Sequence, residues 1–351
     1  MIGSGYAPYI IAELGVNHDG DPRRAMELTD MAAQAGADAI KLQLFEAERL
    51  MSRASRLAVY QENAGERDPV EMLRRLELSV DQMAPVVDLA HRRGIHAIVT
   101  VFSVELVEAA MSLPWDAFKT ASPDIINLPL LRASAMTQKP LIVSTGASTL
   151  SEVIRAAAWL APWHERVCLM QCVSSYPTPP GCEGFGGISA IAMATGLTVG
   201  YSDHTMGLDA SVKACESGAT ILEKHLTYDR SAQGPDHAAS LTPHDLAIYC
   251  RNAREVFEAG RAGTIRSTEG KHVMTIERDV RSVSRQSVVA TRDLELGHVI
   301  RSGDVTIKRP GNGLAPYLLS EVISSRVVRR VVADTPLELE DLGWSQSLAA
   351  A

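Results

Sequence analysis

Over the first 260 residues the hydrophobic positions alternate between two periods. Short β-branched and apolar runs read as buried strands. Between them lie Ala-, Leu-, Glu- and Arg-rich stretches whose apolar residues recur three and four apart, as on one helix face. Eight strands are expected, at residues 9–13, 39–45, 96–102, 117–121, 141–145, 167–173, 198–202 and 220–225. Helices are expected at 22–35, 81–93, 151–160, 208–217 and 243–259, with Asp21 as an N-cap and Pro22 at the first helical position. Gly36 and Gly94 stand where a C′ glycine would close a helix. Eight such units in about 260 residues match an α/β (β/α)8 TIM barrel better than an open doubly wound sheet. The GxGxxG fingerprint is also missing after the first strand.

Beyond Gly260 the pattern changes. Residues 261–285 are polar and basic-leaning with little periodicity, as expected of a linker between a barrel at 1–260 and a small β-rich domain at 286–351. In that domain LELGHVIRSGDV and VVADTPLELEDL share a rhythm, a weak internal repeat. A piece of about sixty residues buries little core alone, so it is expected to dock on something.

Composition narrows the field. Hydrophobic residues are 46% and charged residues 22% of the 351, an ordinary globular balance. The net charge is −8, without a Lys/Arg block interleaved with aromatics, which argues against nucleic acid as a partner. An anionic small substrate remains compatible, since it needs only a few cations in a pocket. No run approaches the ~18 apolar residues of a membrane span, and the first residues lack a basic targeting region. The five cysteines include no CxxC pair and read as reduced thiols, so no membrane association and a cytoplasmic location are expected.

In a (β/α)8 barrel the chemistry sits at the carboxyl ends of the strands. Polar residues recur there: Glu13; Lys41 and Gln43; Thr100; Lys119, Ser122 and Asp124; Ser144 and Thr145; Gln171 and Ser174; Ser202, Asp203 and His204; Glu223, Lys224 and His225. His204 and His225 end neighbouring strands and could share one divalent metal with open positions, or be hydrogen-bonded histidines with no metal. Lys41 and Lys119, with the Ser122, Ser144, Thr145 and Ser202 hydroxyls, suggest a phosphate or carboxylate pocket. The plainer alternative is a structural Lys–Glu pair inside the barrel, such as Lys41 with Glu13. Glu13 and Asp124 are acid–base candidates, or else counter-charges to the lysines.

The segments IAELGVNHDGD, AIKLQLF, FKTASPDIINLPLL, IVSTGAST, QCVSSYPTP, GYSDHTMG, EKHLTYDRSAQGPDHAASLTP and KRPGNGLAP occur in this order from about Ile10 to Trp344. Together they resemble the sialic acid synthase family, which includes N-acetylneuraminate, legionaminate and pseudaminate synthases. The resemblance implies a TIM barrel with a C-terminal antifreeze-like (SAF) domain, in a domain-swapped homodimer where that domain caps the partner's barrel. The implied reaction joins phosphoenolpyruvate, an N-acylated hexosamine-type aldose and water into a 2-keto-3-deoxy nonulosonic acid, releasing phosphate. A divalent metal, commonly manganese with magnesium or cobalt as alternatives, would be held by His204 and His225. Lys41, Thr100, Lys119, Ser122, Ser144 and Ser202 match positions that grip phosphoenolpyruvate. Glu13 and Asp124 match carboxylates near the reacting carbons, while Gln43, Tyr176 and Asp236 match positions facing the sugar. Arg309 matches the arginine sent by the cap toward the sugar's N-acyl group. Departures occur at Asp124, where Glu is more usual, at Ser174, where many members carry Asn, and at Val101, where the usual turn has proline. They put the sugar acceptor in question: a different or phosphorylated aldose is the alternative, and a non-catalytic carbohydrate-binding barrel a more distant one.

Overall fold

The computed structural model describes residues 3, 5–265 and 269–344. Eight parallel strands close into a barrel in chain order: β1 (Tyr9–Gly15), β2 (Ala39–Leu44), β3 (His96–Val101), β4 (Ala117–Thr120), β5 (Leu141–Ser144), β6 (Val167–Cys172), β7 (Thr198–Asp203) and β8 (Ile221–His225). Each starts and stops within two residues of the expected range. The expected helices form at Pro22–Gln34, Val80–Arg92, Leu150–Trp159, Ala210–Glu216 and Pro243–Glu258. Asp21 caps the first by accepting from the Arg23 amide at 2.9 Å. Gly36 and Gly94 are left-handed, with φ of +87° and +75°.

Strand alternation explains what faces where. Outward-facing Ile10, Ala12, Leu42, Val99, Phe118, Val143, Leu169 and Leu222 pack against the helices in the largest core. Inward-facing Ile11, Ala39, Ile98, Ala117, Ile142, Cys168, Met170 and Ile221 fill the amino-terminal half of the interior. On β7 that layer is completed by Gly200, where a Cβ would lie 2.4 Å from Met170 Sδ and 2.6 Å from the Ile221 carbonyl oxygen. Two residues further along the inward face the layer turns polar: Glu13, Lys41, Thr100, Lys119, Ser144, Ser202 and Glu223, with Cys172 on β6. Hydrophobic patterning thus builds a plug below and leaves a polar ring above it.

The connection from β2 to β3 carries three further helices, Ala47–Leu50, Val59–Asn63 and Pro69–Leu76, which the apolar periodicity did not single out. With Phe45 and Phe102 the first and third of these form a separate apolar cluster, to which Val59–Asn63 contributes no residue.

Residues 261–285 are more than a tether. The stretch includes a turn at Thr275–Glu277 and a helix at Arg278–Ser284, and it buries Lys271, Glu277, Val283 and Arg285. Its polar composition read as a linker, but Lys271, Glu277 and Arg285 find their partners on the barrel's strand ends and loops. In the cap, β9 (Ser287–Ala290) pairs antiparallel with β10 (Val305–Lys308) over a core that includes Val288, Ile300, Val322 and Leu337. The internal repeat is visible as two short turns, Ser302–Asp304 and Leu339–Asp341. Each ends on a buried aspartate that accepts from the amide three residues earlier, at 2.9 Å from Arg301 and 2.6 Å from Glu338.

The cap lies on the barrel of its own chain. The Arg309 amide donates to the Leu50 carbonyl at 2.9 Å and the Ser52 amide donates to the Arg309 carbonyl at 3.1 Å. Asn127 Nδ2 donates to Gln286 Oε1 at 2.7 Å. Within one chain these contacts join the cap to the loop after β2 and to the turn after β4. All five cysteines are free, and among the described residues no helix is long and apolar enough to cross a membrane.

Candidate active site

Four charged side chains converge inside the barrel mouth. Lys41 Nζ lies 2.5 Å from Glu13 Oε2 and 2.9 Å from Glu223 Oε2. Lys119 Nζ is 3.3 Å from Glu223 Oε1 and donates to Ser144 Oγ at 2.7 Å. Ser202 Oγ donates to Glu223 Oε1 at 2.9 Å, and Gln43 Nε2 to Glu13 Oε1 at 3.0 Å. Burial lowers the Lys41 ammonium to about 7 against the pull of Glu223. Burial acts to raise the Glu223 carboxyl, but Lys119 and Lys41 together hold it well below the carboxylate range. The internal Lys41–Glu13 pair therefore exists, and it also faces a cavity. Glu223 is the hub of the cluster.

Fourteen of the fifteen expected site residues line that cavity: Glu13, Lys41, Gln43, Thr100, Lys119, Ser122, Ser144, Ser174, Tyr176, Ser202, His204, His225, Asp236 and Arg309. Asp124 does not. It is fully buried under the turn Ser122–Ile126, with Oδ2 accepting from its own Ala121 amide at 3.1 Å. Burial raises its carboxyl to about 7, with Arg309 opposing. The shorter side chain folds back onto the local turn, so the expected catalytic place for Asp124 is corrected to a buried one behind the wall. Of the remaining strand-end polar residues, Asp203 and Lys224 point outward and pair with each other at 3.0 Å, and Gln171 binds the Gly184 carbonyl at 3.0 Å. Thr145 bonds the Met170 carbonyl at 3.0 Å.

Tyr60, Cys172 and an apolar wall of Leu50, Met72, Leu73 and Leu76 also line the cavity. Sequence reading did not select them as site residues. The Tyr60 ring lies 5.0 Å from that of Tyr176, which in turn lies 4.2 Å from the His204 ring. Cys172 could have been found by stepping two residues along its strand from the apolar layer, a step that also singles out Glu223 from the strand-end residues named above. Tyr60 and the wall come from the β2–β3 connection, where no period marks them.

Known proteins agree with this architecture. The model of the NeuB family matches residues 28–264, and that of the SAF domain matches residues 285–343. The chain belongs to the NeuB family. It is 35% identical to the N,N'-diacetyllegionaminic acid synthase of Legionella pneumophila, over 97% of this chain and 96% of that one. The synthase of the same name from Campylobacter jejuni is 33% identical over 93% and 97%. The crystal structure of the spore coat polysaccharide biosynthesis protein SpsE of Bacillus subtilis superposes with a TM-score of 0.84 at 28% identity, covering 97% of this chain and 96% of that one.

A divalent metal was expected of this NeuB-family chain at His204 and His225, and the donors there suit one. Their rings lie 5.6 Å apart. His204 Nδ1 is engaged by the Val173 carbonyl at 2.7 Å, which fixes the ring and leaves Nε2 as the nitrogen facing Ser202 Oγ at 3.4 Å. His225 Nδ1 is buried with no hydrogen-bond partner, 3.6 Å from Asp236 Oδ2. Burial lowers both imidazoles, His204 to about 4, so both are neutral and able to ligate at neutral pH. Among the described residues no three or more His, Cys, Asp or Glu side chains are grouped so that they could hold a metal ion together. Two nitrogens with open positions are what remain, a set that suits substrate oxygen and water as further ligands.

Proposed function

We propose that this NeuB-family enzyme condenses phosphoenolpyruvate with an unphosphorylated, N-acylated amino sugar in its open aldehyde form, giving a nonulosonic acid and phosphate. The observation that supports it best is the pairing of two lysines around one glutamate at the barrel mouth. Lys119, the more loosely held, already leans on Ser144 and can turn to an anion while Glu223 keeps Lys41. Ser122, Ser144 and Ser202 supply hydroxyl donors beside it, in a site shielded enough to strengthen each contact.

In this reading C3 of phosphoenolpyruvate bonds to the aldehyde carbon, water adds at C2 and phosphate departs. Glu13, fixed by Gln43 and Lys41, is placed to orient that water and take its proton. A divalent ion at His204 and His225, manganese by family resemblance, would polarise the aldehyde oxygen. Tyr176, Asp236 and Arg309 hold the sugar. Apart from Lys41 and Lys119, Arg309 is the only Lys or Arg lining the cavity among the described residues, and the wall near it is apolar. A sugar phosphate would need more positive charge there; acyl and deoxy groups fit. The names of the Legionella and Campylobacter relatives point the same way.

The test is incubation with phosphoenolpyruvate, manganese and a panel of N-acetylmannosamine, its 6-phosphate and 2,4-diacetamido-trideoxyhexoses, following phosphate release and product mass. Turnover of a neutral diacetamido sugar is expected. Phosphate release with no acceptor, or only with the 6-phosphate, refutes the reading.

A further inference from the structure

We infer that the segment joining barrel to cap is part of the anion-binding machinery: Glu277, with Arg281 and Arg285, holds the Thr145–Ser148 turn in the shape that a bound phosphate requires. This rests on the phosphoenolpyruvate reading above. The turn follows β5 and carries Ala147 at φ +49°, left-handed backbone that a residue with a Cβ rarely adopts. Such a conformation persists only where its surroundings over-determine it, and here the surroundings are the connecting segment. The Ala147 amide donates to Glu277 Oε1 at 2.6 Å. Its carbonyl accepts from Arg285 Nη2 at 3.0 Å and also from Arg281. Glu152 pins both arginines, at 2.8 Å and 3.3 Å.

The same Glu277 oxygen accepts from the Ser174 amide at 2.8 Å, so one carboxylate ties the loops after β5 and β6 together. Between them sits Gly146, whose amide donates to Ser122 Oγ at 2.9 Å. A Cβ on Gly146 would lie 2.3 Å from Ser174 Oγ and 2.8 Å from Ser122 Oγ. The turn is thus pressed against Ser122, one of the hydroxyls assigned to the phosphate end, and against Ser174 beside it. Glu277 itself is 1% exposed and does not line the cavity. It is a positioning residue that acts through Ala147 and Ser174.

The test uses the full chain. Calorimetric affinities for phosphoenolpyruvate and for inorganic phosphate are measured together with both KM values, kcat and Tm, for Glu277→Gln, for the milder Arg281→Lys, and for each combined with Ala147→Gly. Glu277→Gln should weaken phosphoenolpyruvate binding and raise its KM at least tenfold, with the acceptor KM and kcat within threefold of wild type. Arg281→Lys should show the same pattern more weakly, which keeps the test decisive if Glu277→Gln does not fold. Ala147→Gly should restore at least threefold of the loss, because glycine takes left-handed backbone without a steric cost. Unchanged phosphoenolpyruvate binding, or losses spread evenly over both substrates and Tm with no recovery by Ala147→Gly, overturns the inference alone. A wild-type protein that binds neither phosphoenolpyruvate nor phosphate overturns the functional reading and the inference with it.

Discussion

Strands β7 and β8 carry two buried ionic clusters on opposite faces. On the inner face Glu223 joins Lys41, Lys119 and Ser202, with His204 and His225 above. On the outer face Asp203 and Lys224 meet at 3.0 Å, both fully buried. Asp203 Oδ1 accepts from the Thr205 amide at 2.8 Å, Lys224 donates to the Thr205 carbonyl at 2.5 Å, and the Tyr249 ring lies 5.9 Å from the ammonium. Residue type and burial are the same. Asp203 and Lys224 spend their charges on each other and do not line that cavity, although Thr205 Oγ1 and Tyr249 Oη beside them lack hydrogen-bond partners; the inner cluster faces the cavity, with Thr100 Oγ1 and His225 Nδ1 unpartnered toward it. Buried charge marks a reactive site where the charges retain unspent capacity toward something else; a closed pair marks architecture.

The contrast can be broken experimentally. Glu223→Gln should lower kcat/KM by about a thousandfold or more, the scale of a lost electrostatic contact at a reacting centre, with a small change in Tm. A drop below tenfold would place Glu223 with the structural pairs. Lys224→Met should do the opposite, destabilising the fold by ~3–5 kcal/mol as an uncompensated buried carboxylate does, while kcat stays within about twofold. Adding Asp203→Asn should return most of that stability in urea unfolding, and no return would mean the pair is not a closed unit. Arg309→Ala should raise the acceptor KM about tenfold, on the scale of a lost charge-assisted contact, and leave that of phosphoenolpyruvate nearly alone; the reverse split contradicts its place at the sugar end.

A smaller effect separates the connecting segment from the mouth. Burial acts to raise the Glu152 carboxyl, but Arg281 and Arg285 hold it at about 2, below its ordinary 4.5. A carboxyl lowered by folding stabilises above its unfolded value and loses that effect as pH falls through the folded one. Pepsin cleavage within 261–285 should therefore remain slow just above pH 4.5 and accelerate between there and pH 2. A rate that does not change across that window would sink the clamp as an ionic device.

Much of this was legible beforehand, and the particular misses are instructive. The eight strands could be read because each is a short apolar run between helices with clear ends, such as Asp21 before Pro22 and Gly36 after Gln34. Listing Ser202, Asp203 and His204 together, or Glu223, Lys224 and His225, ignored the two-residue period that sends the middle member of each triplet outward. Applied strictly, that period would have set Asp203 and Lys224 aside. Asp124 was chosen from its place after β4 as well as by resemblance, but its carboxylate turns back to accept from the Ala121 amide instead of lining the cavity. Tyr60 and the apolar wall come from a long connection without a period. Glu277 was hidden because polarity along 261–285 read as a linker, when its partners include amides more than a hundred residues away in the chain.

The rung between Met51 and Arg309 is made by main-chain atoms, so it places no demand on the side chain at either position. That rung tolerates a change of side chain at either position, while the rest of the seat depends on particular cap side chains: Gln286 accepts from Asn127 at 2.7 Å and Asp334 accepts from the Arg53 amide at 2.8 Å. In the proposed reading the cap contributes Arg309 to the sugar end, while Tyr176 and Asp236 come from the barrel. Grafting residues 286–344 from a relative with a different sugar should shift acceptor preference only in part, because Tyr176 and Asp236 stay behind, while the barrel keeps its hold on the common substrate.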